Sequence, residues 1–93
     1  MPTLLNNAVT VSTSATLLAD GSPRRAWLSV TNNGSVTVYL GNAAVSSTAF
    51  VWALPAGETI QFTAEAGDKL PENQWYGRTA SSTASVAVGE SIA

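Results

Sequence analysis

The sequence contains no cysteine and no histidine among its 93 residues. Without cysteine these residues can form neither a disulfide nor a thiolate metal site. Without histidine they lack the commonest general base and the commonest metal ligand in proteins. We therefore predict a protein that is not an enzyme and that has no catalytic residue, no metal site and no cofactor.

Charged residues are also scarce, at 11% of the chain against about a quarter in typical domains. Four basic residues and a net charge of −2 cannot form the basic face that nucleic-acid binding requires. Serine, threonine, alanine and asparagine take the place of charged residues, a composition that suits outer faces in contact with other protein. We predict protein partners and no nucleic acid.

Long apolar runs are missing as well. No stretch approaches the roughly 20 apolar residues of a membrane-spanning helix, and the first residues lack the basic and apolar segments of a secretory signal. We therefore expect a protein made in a cytosol, with no membrane partner.

The acidic residues are too dispersed to suggest a paired-carboxylate active site, which needs two acids at a fixed separation. They are Asp20, Glu58, Glu65, Asp68, Glu72 and Glu90. Five of the six lie beside glycine or proline and the sixth, Glu65, lies in a predicted turn, where acids are ordinary surface residues. Asp68 and Glu72 do not form the dense run of oxygen ligands that a calcium loop contains.

What the sequence does contain is alternation between apolar and polar residues. Residues 24–41 hold two alternating runs around Asn32-Asn33-Gly34, a pattern that predicts a β-hairpin. A two-residue loop would place apolar residues opposite polar ones. A three-residue loop, with Gly34 as the left-handed residue of a bulge, instead puts all the aliphatic residues on one face.

In the three-residue register the aliphatic pairs are Val30–Val36, Leu28–Val38 and Ala26–Leu40. The opposite face then pairs Trp27 with Tyr39. Cross-strand aromatic pairs of this kind stabilise sheets. We interpret Trp27 and Tyr39 either as a sheet-stiffening pair or as a platform for a ligand.

Six further segments alternate or are apolar throughout, and no segment has a useful helical period. They are residues 8–12, 15–18, 50–54, 58–64, 75–79 and 83–88. Residues 41–49, small and polar, predict an exposed loop without apolar anchors. Seven to eight short strands separated by turns predict an all-β fold, a small antiparallel β-sandwich or jelly-roll-like barrel. We predict an N-terminal arm over residues 1–7, one domain over 8–90 and a tail over 91–93.

The aromatic residues are numerous for a chain with so little charge. They fit three roles: core packing, a protein interface or a platform for a glycan. Leu4 and Leu5 suit docking on a neighbour, and Arg24 and Arg25 form the one adjacent basic pair. The candidate interface residues are Leu4, Leu5, Arg24, Arg25, Trp27, Tyr39, Trp52, Trp75 and Tyr76.

The turn motifs and their order carry a resemblance to a known family. They are Val-Thr-Asn-Asn-Gly-Ser (30–35), Val-Tyr-Leu-Gly (38–41), Leu-Pro-Ala-Gly-Glu (54–58), Gly-Asp-Lys-Leu (67–70) and Thr-Ala-Ser-Val-Ala-Val (83–88). Over residues 8–90 the chain resembles small virion proteins of tailed bacteriophages. It departs from them at residues 71–74, which separate the Gly-Asp turn from Trp75.

The resemblance implies a structural protein of the virion. Members of that family look like capsid decoration (cement) proteins, head-fibre bases or tail-associated modules. We expect a decoration protein that binds the major capsid protein on the outside of the head, with a homotrimer favoured. A host-surface module that binds glycans and a tail or baseplate component are the alternatives.

Overall fold

The computed structural model describes residues 3–21, 25–63 and 74–92. Eight strands and no helix occupy these residues, in agreement with the β-branched and alternating composition. No described segment is a helix long and apolar enough to cross a membrane. The strands are β1 (Thr3–Val11), β2 (Thr16–Ala19), β3 (Arg25–Asn32), β4 (Val38–Gly41), β5 (Trp52–Leu54), β6 (Thr59–Thr63), β7 (Trp75–Thr79) and β8 (Ala84–Ile92).

The strands form two four-stranded antiparallel sheets packed as a β-sandwich, which confirms the predicted fold class. One sheet has the order β1-β8-β3-β6 and contains strands of five to nine residues; we call it the long-strand sheet. The other has the order β2-β7-β4-β5 and strands of three to five residues; we call it the short-strand sheet.

The core lies between the two sheets and is mainly aliphatic. Its buried members are Val11, Leu18, Ala19, Leu28, Val30, Val38, Leu40, Leu54, Trp75, Ala84, Val86 and Val88. The alternation within single strands is confirmed: Ile60 and Phe62 pack against this core, while Thr59 and Gln61 are exposed. Sequence periodicity therefore assigned the inward faces of individual strands.

The predicted hairpin is wrong, although its face assignment is right. β3 pairs with β6 and β8, and β4 pairs with β5 and β7, so the chain crosses from one sheet to the other between them. Leu28 lies opposite Phe62 and Glu90, not Val38. The two aliphatic faces meet across the sandwich, which buries both, whereas a hairpin would place them side by side on one face.

Asn32 secures the crossing between the sheets. Its side chain is fully buried, and its Nδ2 donates to the carbonyl oxygens of Val36 at 2.8 Å and Leu54 at 3.0 Å. Its Oδ1 accepts from the Gly34 N–H at 2.9 Å. These three bonds join the end of β3 to the connection and to β5, and they satisfy polar groups that burial would otherwise leave unpaired.

Gly34 is needed for a different reason from the one the sequence predicted. The described glycine with a positive φ is Gly57, at 82°, so Gly34 is not the left-handed residue of a bulge. A Cβ on Gly34 would instead lie 2.6 Å from the Cβ of Ala84 and 2.9 Å from its Cα. Close backbone approach to β8, rather than turn conformation, requires glycine there.

β1 and β8 extend beyond the predicted bounds of the domain. Residues 3–7, assigned to an arm, belong to β1, and residues 91 and 92, assigned to a tail, belong to β8. The two strands pair over nine positions, from Thr3 opposite Ile92 to Val11 opposite Ala84. Pairing with β8 outweighs the weak strand preference of Asn6 and Asn7.

Candidate protein interface

Large apolar side chains are exposed in three regions of the described chain, of which β2 contributes Leu17 alone. Near the start of β1, Leu4 is 77% exposed and Leu5 is 43% exposed. At the entry to β5, Phe50, Val51 and Trp52 are 45%, 61% and 49% exposed. We call residues 50–52 the apolar strip. Three adjacent exposed apolar residues on a small domain mark a contact surface.

The apolar strip is held at the edge of the short-strand sheet by bonds to β4. The Val51 N–H donates to the Leu40 carbonyl oxygen at 2.7 Å, and Trp52 lies opposite Leu40. The Phe50 ring packs on Tyr39, with ring centroids 5.0 Å apart and planes inclined at 47°. This tilted arrangement is favourable for aromatic pairs, so the strip is an ordered surface.

The segment before the strip has an anchor that the sequence did not reveal. Residues 41–49 were predicted to form an exposed loop without apolar anchors, but Val45 is 2% exposed and packs over Gly41. Asn42 stabilises the turn, because its side-chain Oδ1 accepts from the Ala44 N–H and its main-chain carbonyl oxygen accepts from the Val45 N–H. Arg78 Nη1 donates to the Val45 carbonyl oxygen at 3.4 Å.

A shallow hollow of about 330 Å³ lies beside the strip. Asn42, Gln74 and Tyr76 line it together with Val51. Tyr76 is half-buried and lies between Leu17 and Gly41 in the sheet register. Gln74 Nε2 donates to Asp20 Oδ1 at 3.2 Å, and Asn42 Oδ1 accepts from the Ala44 N–H at 2.9 Å.

Two of the predicted interface residues lie inside the sandwich. Trp75 is 3% exposed and stacks on Phe62, with ring centroids 4.6 Å apart. The core role, one of the three open for the aromatics, therefore holds for Trp75.

Arg25 is also 3% exposed, and its Nε and Nη2 lie 2.6 Å from Glu90 Oε1. Its Nη2 also donates to the Asp20 carbonyl oxygen. A register shift in β3 between Arg25 and Trp27 accompanies this placement. Arg25 is therefore an internal ion-pair partner and not a surface contact, while Arg24 lies outside the described residues.

Trp27 and Tyr39 are not neighbours, because they lie on different sheets. Trp27 pairs with Thr63 and Ser91, whereas Tyr39 pairs with Ala53 and Arg78. Trp27 is half-buried over Gly89, and its Nε1 donates to Gln61 Oε1 at 3.5 Å. The predicted aromatic pair is therefore wrong, and Tyr39 has Phe50 as its aromatic partner.

Of the predicted interface residues, Tyr39, Trp52 and Tyr76 all lie in the short-strand sheet, and Leu4 and Leu5 lie on β1. The register puts Trp52 opposite the buried Leu40, on the other face of the sheet from Tyr39 and Tyr76. The sequence prediction missed Phe50 and Val51. Their signal was present in the uninterrupted apolar run before Pro55, which suits either a strand buried on both faces or a strand facing a partner. The exposure of residues 50–52 at a sheet edge favours the second.

The described residues hold no group of three or more histidine, cysteine, aspartate or glutamate side chains that could bind a metal ion. The described charged residues are Asp20, Arg25, Glu58, Arg78 and Glu90. With Arg25 and Glu90 paired internally, the remaining described charges are Asp20, Glu58 and Arg78, of which Asp20 and Glu58 are exposed.

No protein-family model matches the sequence, and no curated protein matches it. Among solved structures, the chain is similar to one from the work described as "Bacillus endospore appendages form a novel family of disulfide-linked pili". The TM-score is 0.54 at 10% sequence identity, and the match covers 99% of this chain and 86% of the other. A likeness at this identity shows the fold, an all-β sandwich.

Proposed function

We propose that this chain is a structural protein of a tailed-bacteriophage particle. It binds the outer surface of the head and strengthens contacts between neighbouring copies of the major capsid protein. The observation that carries the proposal is the ordered apolar strip at residues 50–52. The low charge of the chain and the order of its turn motifs, which resembles that of small virion proteins, support the particle as the setting.

The proposed action is mechanical. Phe50 and Trp52 are about half exposed, and a fully buried aromatic side chain removes roughly 150–250 Å² from water. Burial of the remaining half of each therefore contributes about 2–3 kcal/mol at roughly 25 cal/mol per Å², before the cost of association. A shell that carries many copies multiplies this contribution against the pressure of packaged DNA.

Binding of purified protein to heads that lack it tests the proposal. We expect co-sedimentation in a fixed ratio to the capsid protein and increased resistance of the heads to heating. Val51→Asp should abolish binding, because it places a charge in an apolar contact. Leu17→Asp is the matched control, since Leu17 is 40% exposed at the opposite edge of the same sheet. Heads equally robust without the protein would overturn the proposal.

The hollow beside the strip favours a second candidate, a host-surface module that binds glycans. An aromatic ring with neighbouring amides, as in Tyr76, Asn42 and Gln74, is the kind of chemistry that holds a sugar ring. Glycan-array binding that Tyr76→Ala removes, with no binding to heads, would favour this candidate. Silence on the array together with unchanged phage adsorption would exclude it.

The position of this protein in the particle distinguishes the proposed head protein from the third candidate, a tail or baseplate component. Density for this fold on the capsid exterior in an electron-microscopy map supports the leading proposal, and density confined to the tail contradicts it.

The solved neighbour is described as forming disulfide-linked pili. That form of linkage is not available here, because these 93 residues contain no cysteine.

A further inference from the structure

Among the described strands, β1 is an edge strand that pairs on one side, with β8. It pairs with β8 over nine positions, and it ends the long-strand sheet. Its residues from Leu4 to Ala8 are all exposed. An open edge presents a row of backbone N–H and C=O groups that can pair with another strand.

The other edges that the structure describes are short or irregular. β5 has three residues and precedes Pro55, β2 has four residues and a register shift, and β6 has five residues directly after Glu58. β1 has nine residues, with no charged residue, proline or glycine among them. Its own sequence therefore lacks the charges and prolines with which proteins often protect an exposed edge.

We propose that β1 pairs with β1 of a second copy, antiparallel about a twofold axis, so that the two long-strand sheets become one eight-stranded sheet. This inference is independent of the proposed attachment to a capsid. Self-pairing brings no like charges together, because β1 has none. It replaces the trimer implied by the family resemblance with a dimer.

The alternation of side chains between the two faces of β1 determines which pairing registers are allowed between the two copies. Residues 5, 7, 9 and 11 face the side of the sheet that holds the core, since Val9 and Val11 pack there, and residues 4, 6, 8 and 10 face outward. The two copies keep their inner faces on the same side only if the paired residue numbers sum to an even number.

When the numbers of the paired residues sum to fourteen, all nine residues of β1 overlap with β1 of the second copy. This register places Asn7 opposite Asn7 of the second copy and Leu5 opposite Val9 of the second copy. The half-exposed Leu5 thereby gains an aliphatic neighbour. About eight to ten backbone hydrogen bonds result from nine paired positions.

Pairing of β1 with the β6 edge of another copy is the less favourable arrangement. β6 has five residues, so four positions of β1 would stay unpaired. That contact is also heterologous, and it would produce open filaments unless its rotation closed a ring. Self-pairing of β1 matches nine residues with nine and closes at two copies.

The solution mass of the intact chain tests the state of association. Light scattering coupled to gel filtration should give twice 9.6 kDa across a wide concentration range. A monomer at all concentrations would overturn the proposal, and so would a trimer. This measurement needs no capsid, so its outcome is separate from that of head binding.

Single cysteines test the register, and the chain has none of its own to interfere. Residues opposite each other in antiparallel strands have Cα atoms about 4.5–5.5 Å apart, which suits a disulfide. Asn7→Cys should therefore oxidise to a covalent dimer. Thr10→Cys is the matched control, because Thr10 lies opposite Leu4 of the second copy and far from Thr10 of the second copy. Equal cross-linking at the two positions would contradict this register.

Charge at the axis gives a test that does not depend on oxidation. Asn7→Lys places two like charges opposite each other and should raise the dissociation constant about fivefold, as should Asn7→Asp. A mixture of the two variants should recover the wild-type dimer, because each then faces an opposite charge. Thr10→Lys should leave association unchanged. Circular dichroism confirms that each exposed variant folds, and failure of the mixture to recover association would overturn the twofold pairing.

Discussion

The two sheets divide the properties of the molecule between them. The long-strand sheet joins the beginning and end of the described chain, and its outer face holds the small polar residues Ser29, Thr31 and Ser85 beside Trp27 and the exposed Leu4. The short-strand sheet carries the apolar strip and the ring of Tyr39. The difference teaches that the two sheets offer different kinds of contact, a long backbone edge in one and exposed apolar side chains in the other, and that substitutions in the two should have different consequences.

The largest expected effect lies in the long-strand sheet. Glu90→Ala removes the carboxylate that pairs with the buried guanidinium of Arg25, and breaking a buried ion pair in this way costs about 3–5 kcal/mol. Urea denaturation measures the loss in the free energy of unfolding. The double variant Arg25→Met with Glu90→Leu should recover most of it, because neither charge then remains. A loss below about 1 kcal/mol for the single variant would contradict the ion pair.

The next effect lies where the chain passes from one sheet to the other. Asn32→Ala removes three hydrogen bonds and leaves the Val36 and Leu54 carbonyls and the Gly34 N–H without that partner. We expect a loss of about 2–4 kcal/mol in the free energy of unfolding, because unsatisfied buried groups cost about 1–3 kcal/mol each. Asn33→Ala, at an exposed neighbour, should change stability by less than about 0.5 kcal/mol.

The smallest expected effect is a difference in the free energy of unfolding between the same valine-to-threonine substitution in the two sheets. Val30→Thr places a hydroxyl in the fully buried face of β3 and should cost about 1–3 kcal/mol. Val51→Thr, at a residue 61% exposed, should stay within about 0.5 kcal/mol. Thermal unfolding of both variants checks the difference. Equal costs at the two positions would mean that the apolar strip contributes to folding as much as the core does.

Much of the fold was accessible from the sequence because alternation reports which face of a strand is buried. Leu28, Val30, Val38 and Leu40 were all assigned to the inner face, and all are fully buried. The same alternation cannot distinguish two strands paired in one sheet from two strands that face each other across a sandwich. Both arrangements bury the same side chains, so the hairpin prediction failed although its pattern was correct.

The candidate interface was less accessible because exposure depends on where a strand lies in its sheet. An apolar run such as residues 50–54 reads equally well as a central strand or as an edge that contacts a partner. The position of β5 at the edge of its sheet, a tertiary property, decides between them. The prediction of Arg25 as an interface residue was wrong for a related reason. Its partner Glu90 is 65 positions away in the sequence, and no local pattern indicates such a pair.

The central place of β8 in its sheet has a consequence for biosynthesis. β8 is the last strand of the described chain, and it lies between β1 and β3, so each of them lacks that neighbour until it arrives. A nascent chain on the ribosome therefore cannot assemble this sheet before β8 leaves the exit tunnel. Topologies dominated by such distant pairings fold slowly, so the newly made protein should pass through a period in which strand edges are open to aggregation.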